Sequence, residues 1–179
     1  MAGPAMLAER PELATARAVA LNNFGTLRTQ VGGLDSEGEE ALVRAVKFQR
    51  LAAAADWAYY APNLAETLTI LANTYRVAGR LVDALPPWVE AMQRYSDLVE
   101  ANRIEYLRDL ALLTATLAVA LMEADRDGDA LALFPAALKL YEGFTDVQPD
   151  EYQATLENLQ TCYKILRARG GRGSAAFLD

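Results

Sequence analysis

The residues here that could do acid–base chemistry are carboxylates. The chain has 179 residues, no histidine and a single cysteine, Cys162. Without imidazole, the commonest general base is gone, and with it the His-assisted Ser and Cys nucleophiles and most zinc sites. Cys162 lies in an apolar helical pattern and reads as a small core residue. Asp125, Asp127 and Asp129 alternate with Arg126 and Gly128, which looks like the start of a calcium loop. Such a loop needs Gly at its sixth position and a bidentate Glu at its twelfth. Counting from Asp125 gives Ala130 and Ala136, so this stretch is a turn between helices. Gly32-Gly33 and Gly170-Gly171 lack the preceding strand and the Lys of a phosphate loop. The short basic stretch Arg169 to Arg172 reads as part of a tail. No catalytic, cofactor or metal site is expected, and the chain is not read as an enzyme.

Composition narrows the partners. The net charge is −7 and the sequence pI about 4.7. Proteins that hold phosphate backbones gather Lys and Arg on one face. No such run exists here, so neither nucleic acid nor an anionic membrane surface is expected. No apolar run approaches the roughly 20 residues that span a bilayer. The N-terminal stretch is Ala-rich but broken by Glu9, Arg10, Glu12 and Arg17, unlike a signal peptide. One cysteine permits no intrachain disulfide and fits a reducing compartment, so the expected location is the cytoplasm.

What would position any site is a set of helices. The chain is 53% hydrophobic, dominated by Ala and Leu with almost no strand signal, an all-α composition. Leu64, Leu68, Leu71, Tyr75 and Ala78 form one helical stripe, spaced four, three, four and three. Gly79 follows, where a helix can end in a left-handed residue without steric cost. A second stripe runs Leu81, Ala84, Leu85, Trp88, Ala91, Tyr95 and Leu98, with Pro86 and Pro87 expected in its first turn or so. Shifted by 46 residues, Leu64, Leu71, Arg80, Ala84, Trp88, Ala91 and Tyr95 become Leu110, Leu117, Arg126, Ala130, Phe134, Ala137 and Tyr141. Shifted back by 47, Leu68, Leu71, Ala72 and Gly79 become Leu21, Phe24, Gly25 and Gly32. A partial copy follows at Leu156, Leu159, Tyr163 and Leu166. The pattern predicts seven helices, over about 12–31, from about 36 to Trp57, then 63–78, 81–101, 105–124, 127–143 and 150–168. Ser36 and Glu39 are spaced as a capping box for the second. Tyr59, Tyr60 and Pro62 form the link after it, and Asp127 or Asp129 caps the sixth. Residues 1–11 are expected to fray. Leu7-Ala8-Glu9-Arg10 is similar to Glu100-Ala101-Asn102-Arg103, as if the chain began within an earlier repeat.

The sequence Leu68, Leu71, Ala72, Tyr75, Gly79, Ala84, Trp88, Ala91 resembles the tetratricopeptide repeat, in a long-helix form with a period of 42–47 residues. The resemblance covers roughly residues 12 to 168. The next copy departs from it at Thr114 and at Asp125, which stands in place of the Gly. It implies an all-α fold, a right-handed α-solenoid of antiparallel helix pairs. Residues 1–168 would form one repeat domain of about three pairs and a C-terminal capping helix, and 169–179 a flexible tail. In stacked pairs the first helix of each lines a concave side. The resemblance places a partner-binding groove there, at Asn22, Thr26, Glu66, Thr69, Asn73, Arg76, Ala115, Val119, Met122, Glu157, Thr161 and Lys164. Its third-repeat part, with Leu112, is apolar, and is either a binding or a packing face. The family's carboxylate clamp needs Lys where this chain has Asn22, Thr69, Ala115 and Glu157, so a C-terminal carboxylate is not the expected ligand. Three readings follow. The first is a non-enzymatic scaffold that binds a protein or peptide. The second is a regulatory or sensor arm of a larger signalling protein. The third is an all-α small-ligand carrier or enzyme, whose sign would be a deep pocket with convergent carboxylates. A homo-oligomer, through the apolar third repeat or the open N-terminal end, is compatible with each.

Overall fold

The computed structural model describes residues 10–170, and among these every regular element is helical. Seven α-helices follow one another: α1 (Pro11–Gly32), α2 (Ser36–Ala55), α3 (Trp57–Val77), α4 (Leu81–Glu100), α5 (Leu107–Glu123), α6 (Asp127–Thr145) and α7 (Pro149–Ala168). A 3₁₀ turn, Ile104–Tyr106, precedes α5. The expected frayed N-terminus and mobile tail lie outside the described residues, apart from Arg10, Pro11, Arg169 and Gly170. The repeat resemblance covers roughly residues 12 to 168, and the chain divides into two compact units, Met1–Tyr106 and Leu107–Asp179.

In the first unit each helix packs on the next, and α1 also meets α3. Thr15 bonds Gln49, Arg17 stacks on Phe48, and Arg28 binds Asp35, so α1 and α2 run antiparallel. They cross closely at Gly25. A Cβ there would lie 2.6 Å from Leu42 Cγ and 2.8 Å from the Gly38 carbonyl oxygen. The core of this unit is built from Ala14, Ala18, Leu42, Leu68, Trp88 and Leu98, each at most 1% exposed. In the second unit α5 packs on α6 and α6 on α7. Phe134–Tyr163 and Tyr141–Tyr152 ring contacts set α6 against α7, while Leu117, Leu121, Phe134 and Leu166 are fully buried.

Three turns are built alike. After α3, Arg80 N–H donates to Tyr75 C=O and Gly79 N–H to Arg76 C=O. After α4, Arg103 donates to Leu98 and Asn102 to Val99. After α5, Arg126 donates to Leu121 and Asp125 to Met122. Each is a Schellman closure around a left-handed residue, Gly79, Asn102 or Asp125 (φ 74°, 64° and 54°), followed by an arginine. The helix ends near 78 and 124, and the left-handed Gly79, are those the periodicity predicts.

Four local expectations are corrected. The cap of α2 is Asp35, whose carboxylate accepts from Gly38 N–H at 2.8 Å, and not Ser36. Glu39 is drawn away from the capping box because Arg80 and Tyr75 both reach it. The 58–62 link is helical. Asp56 alone separates α2 from α3 and caps α3 by accepting from Tyr59 N–H. Pro62 therefore sits inside α3, and its missing N–H frees the Ala58 carbonyl. Arg103 fills that vacancy, donating from Nη1 to Ala58 O at 3.2 Å. The sixth helix is capped by neither aspartate. Arg126 is its N-cap residue, and Asp127 and Asp129 are buried in its first turn. Pro86 and Pro87 lie one turn deeper in α4 than expected, at its sixth and seventh positions.

Candidate functional site

The first unit carries a groove of about 520 Å³ between α1 and α3. It exists because both helices lean on α2 and touch each other only lightly. Asn22, Thr26 and Asn73, three of the residues the repeat pattern assigns to a binding face, line it. Asn22 is 8% exposed. Its Nδ2 donates to Thr67 Oγ1 at 3.1 Å, while its Oδ1 is buried without a hydrogen-bond partner. A buried amide oxygen left unpaired costs about 1–3 kcal/mol, so this atom has most to gain from a donor arriving in the groove.

The neighbouring hydroxyls have the same polarity. Thr29 donates its proton to Gly25 C=O at 2.9 Å, and Thr74 donates to Ile70 C=O at 2.8 Å. A threonine whose proton is held by its own helix has only lone pairs left to offer. In this groove these hydroxyls and Asn22 Oδ1 offer acceptors to N–H donors, beside the amides of Asn23, Gln30 and Asn73, which carry donors and acceptors both. Leu27, Ile70 and Val77 supply apolar wall, and no charged side chain lines it.

The other expected residues are placed differently. Glu66, Thr69 and Arg76 are on α3 outside the lining. The Thr69 hydroxyl donates to Ala65 C=O. In the second unit, Ala115 is buried, Val119 and Met122 are half-buried, and Leu112 is exposed. Glu157 accepts from Gln153 at 2.7 Å and Thr161 donates to Glu157 C=O, while Lys164 is exposed. Asn23, Leu27, Gln30, Thr74 and Val77 complete the groove. The repeat register missed them because it follows a single line down each helix. A groove between two helices also takes the residues one step to either side.

A second cavity of about 580 Å³ lies among α2, α3 and α4, floored by Val46, Leu68 and Leu71. Most of its charges are paired with one another. Tyr75 Oη donates to Glu39 at 3.0 Å, Arg80 binds Glu39 at 2.6 Å, and Arg50 pairs with Glu90. Burial, reinforced by its bond to the Glu39 carboxylate, pushes the Tyr75 hydroxyl up to about 12. The Arg80 guanidinium holds Glu39 below the usual carboxylate range. Arg80 also pairs with Asp83, and Lys47 lines the cavity beside these ion pairs. Among the described residues no helix is long and apolar enough to cross a membrane.

Comparison with protein-family models, curated proteins and solved structures found no match to this chain.

Proposed function

We propose that this chain is a non-catalytic binding module, a right-handed repeat of the tetratricopeptide kind that holds a segment of another protein in the groove between α1 and α3. The observation that carries this reading is the buried, unpartnered Asn22 Oδ1 in an uncharged, polar groove. A peptide backbone presents N–H donors at regular intervals, and Asn73 adds both a donor and an acceptor. The absence of charge along the lining favours a neutral segment with small or apolar side chains over a charged terminus. The repeated arginine-closed turns support the repeat character.

The test is to pan a random peptide library on the whole chain. Enriched peptides would then be titrated against wild type and an Asn22→Leu/Asn73→Ala variant shown by circular dichroism to be folded. We expect at least a tenfold loss of affinity, about 1.4 kcal/mol or more. Equal binding by both would place recognition elsewhere.

A further inference from the structure

The second cavity of the first unit is organised by charge. Glu39 of α2 meets Arg80 at the start of α4, and Arg50, eleven residues further along α2, meets Glu90, ten residues further along the chain from Arg80. The two helices therefore run side by side in one direction, and the two ion pairs bound a slot about 16 Å long between them. Between the ion pairs the slot is apolar, with Val46, Leu68 and Leu71 as floor and Val43, Val82 and Pro86 as walls. Its ends carry opposite charge. At the first, Glu39 and Asp83 share the single cation Arg80, an excess of one acid. At the second, Arg50 has Glu90, and Lys47 stands beside them with no acid partner among the described residues. The positions three and four residues from Lys47 on α2 are Val43, Arg44, Arg50 and Leu51, so its own helix offers none.

The acidic end also holds two backbone acceptors. Pro86 and Pro87 have no N–H, so the carbonyls of Val82 and Asp83, four residues before each, lack the helix donor they would otherwise take. Val82, Asp83 and both prolines line the slot. At Pro62 the same vacancy is filled by the Arg103 guanidinium. We infer that this slot is a binding site for a short apolar zwitterion, a molecule with an ammonium at one end, a carboxylate at the other and an apolar body between. The ammonium donates to the Val82 and Asp83 carbonyls beside the surplus acid, the carboxylate pairs with Lys47, and the body covers the apolar floor. A ligand of one sign meets like charge at one end. The lining as a whole is neutral, with Glu39, Asp83 and Glu90 against Lys47, Arg50 and Arg80, which matches a molecule of zero net charge. An internal stretch of a protein has neither end charge, and the ion pairs bar its way at both ends of the slot. The volume of about 580 Å³ is that of a small-molecule pocket. From the level of Glu39 to that of Lys47 is eight residues of helix, about 12 Å. A free tripeptide in extended form spans about 10–11 Å, and an ω-amino acid of similar length offers the same two charges.

The probe is the tripeptide Val-Ala-Leu with both ends free, titrated into the whole chain and followed by the methyl resonances of Val43, Val46, Leu68 and Leu71. A second probe is 8-aminooctanoate. We expect saturable shifts at these methyls, and at least tenfold weaker binding when the tripeptide is N-acetylated or C-amidated. The penalty for amidation should vanish in Lys47→Met, and the penalty for acetylation should shrink in Asp83→Asn. Both positions are exposed, so both variants should fold. Pro86→Ala returns a helix donor to the Val82 carbonyl. It should weaken the free tripeptide without loss of stability and leave the N-acetylated form unchanged. Asn22→Leu/Asn73→Ala should bind the probe as wild type does, which keeps this slot separate from the peptide groove. Tighter binding of 8-aminooctanoate than of the tripeptide would support the slot as a site for a non-peptide amino acid, and the reverse order as a site for a free peptide. Capped peptides that bind as well as free ones would overturn the inference. So would capping penalties that persist in folded Lys47→Met and Asp83→Asn, shifts confined to the groove between α1 and α3, or no shift at millimolar probe.

Discussion

The turn from α3 to α4 and the turn from α5 to α6 are 46 residues apart and share a backbone. Both close with the same two hydrogen bonds around a left-handed residue, and both continue with Arg-x-x-Asp, Arg80/Asp83 and Arg126/Asp129. Their surroundings differ. The Arg80 and Asp83 side chains are 42% and 49% exposed, and Arg80 spans to Glu39 of α2. Asp129 is 1% exposed and pairs with Arg126, while Asp127 beside it is buried with Arg169 at 3.9 Å. One local motif thus forms a solvated strap in one unit and a buried ion pair in the other. The sequence repeat sets the turn, and the burial around it sets what its charges are worth.

That contrast can be broken most strongly at the buried pair. Asp129→Ala should cost about 2–3 kcal/mol, below the figure for a fully buried pair because Arg126 can turn part-way to water. Asp83→Ala should stay within about 1 kcal/mol. Urea denaturation of the two variants checks the ratio, and equal losses would mean that burial does not distinguish the turns.

Next in size is the alkaline limb of stability. Tyr75 has a folded value of about 12 against about 10 unfolded, so the folded state holds its proton more tightly. Its contribution is complete below pH 10 and is lost as pH rises from there to 12, by about 2 kcal/mol. Denaturation midpoints measured across that range should fall for wild type and fall less for Tyr75→Phe. Parallel slopes would mean that the hydroxyl of the first turn does not feel its burial. At the acid end the sign reverses. Glu39, held low by Arg80, contributes above the ordinary carboxylate value and is lost as pH falls through its lowered one.

The smallest effect sharpens the comparison at the left-handed residue itself. Glycine adopts this conformation freely, whereas any Cβ is strained in it. Asp125→Gly should raise stability by about 1 kcal/mol and Gly79→Ala should lower it by about as much. Melting temperatures of the two variants should therefore move in opposite directions.

Much of this architecture is legible in the residues because helices obey local rules. Four-and-three spacing identified the buried faces of α3 through α6. The glycine at 79 and its aspartate counterpart marked turns that a left-handed residue must close. Long-range partners were not legible. Nothing near Pro62 indicates that Arg103, about 40 residues away, supplies the donor that keeps α3 continuous, so the proline read as a break. Nothing near Ser36 indicates that Glu39 will be claimed by Arg80. In the candidate site, repeat register placed Asn22, Thr26 and Asn73 on one face. Only packing showed that Asn22 is buried with an unpaired oxygen and that the walls between α1 and α3 come from residues off that register. The sequence by itself determined an all-helical chain without imidazole chemistry, its periods and its turns, because each depends on residues within a few positions of one another. The tertiary structure decided which charges are buried and which acceptor waits for a donor, because burial and partnership depend on distances between helices far apart in the chain.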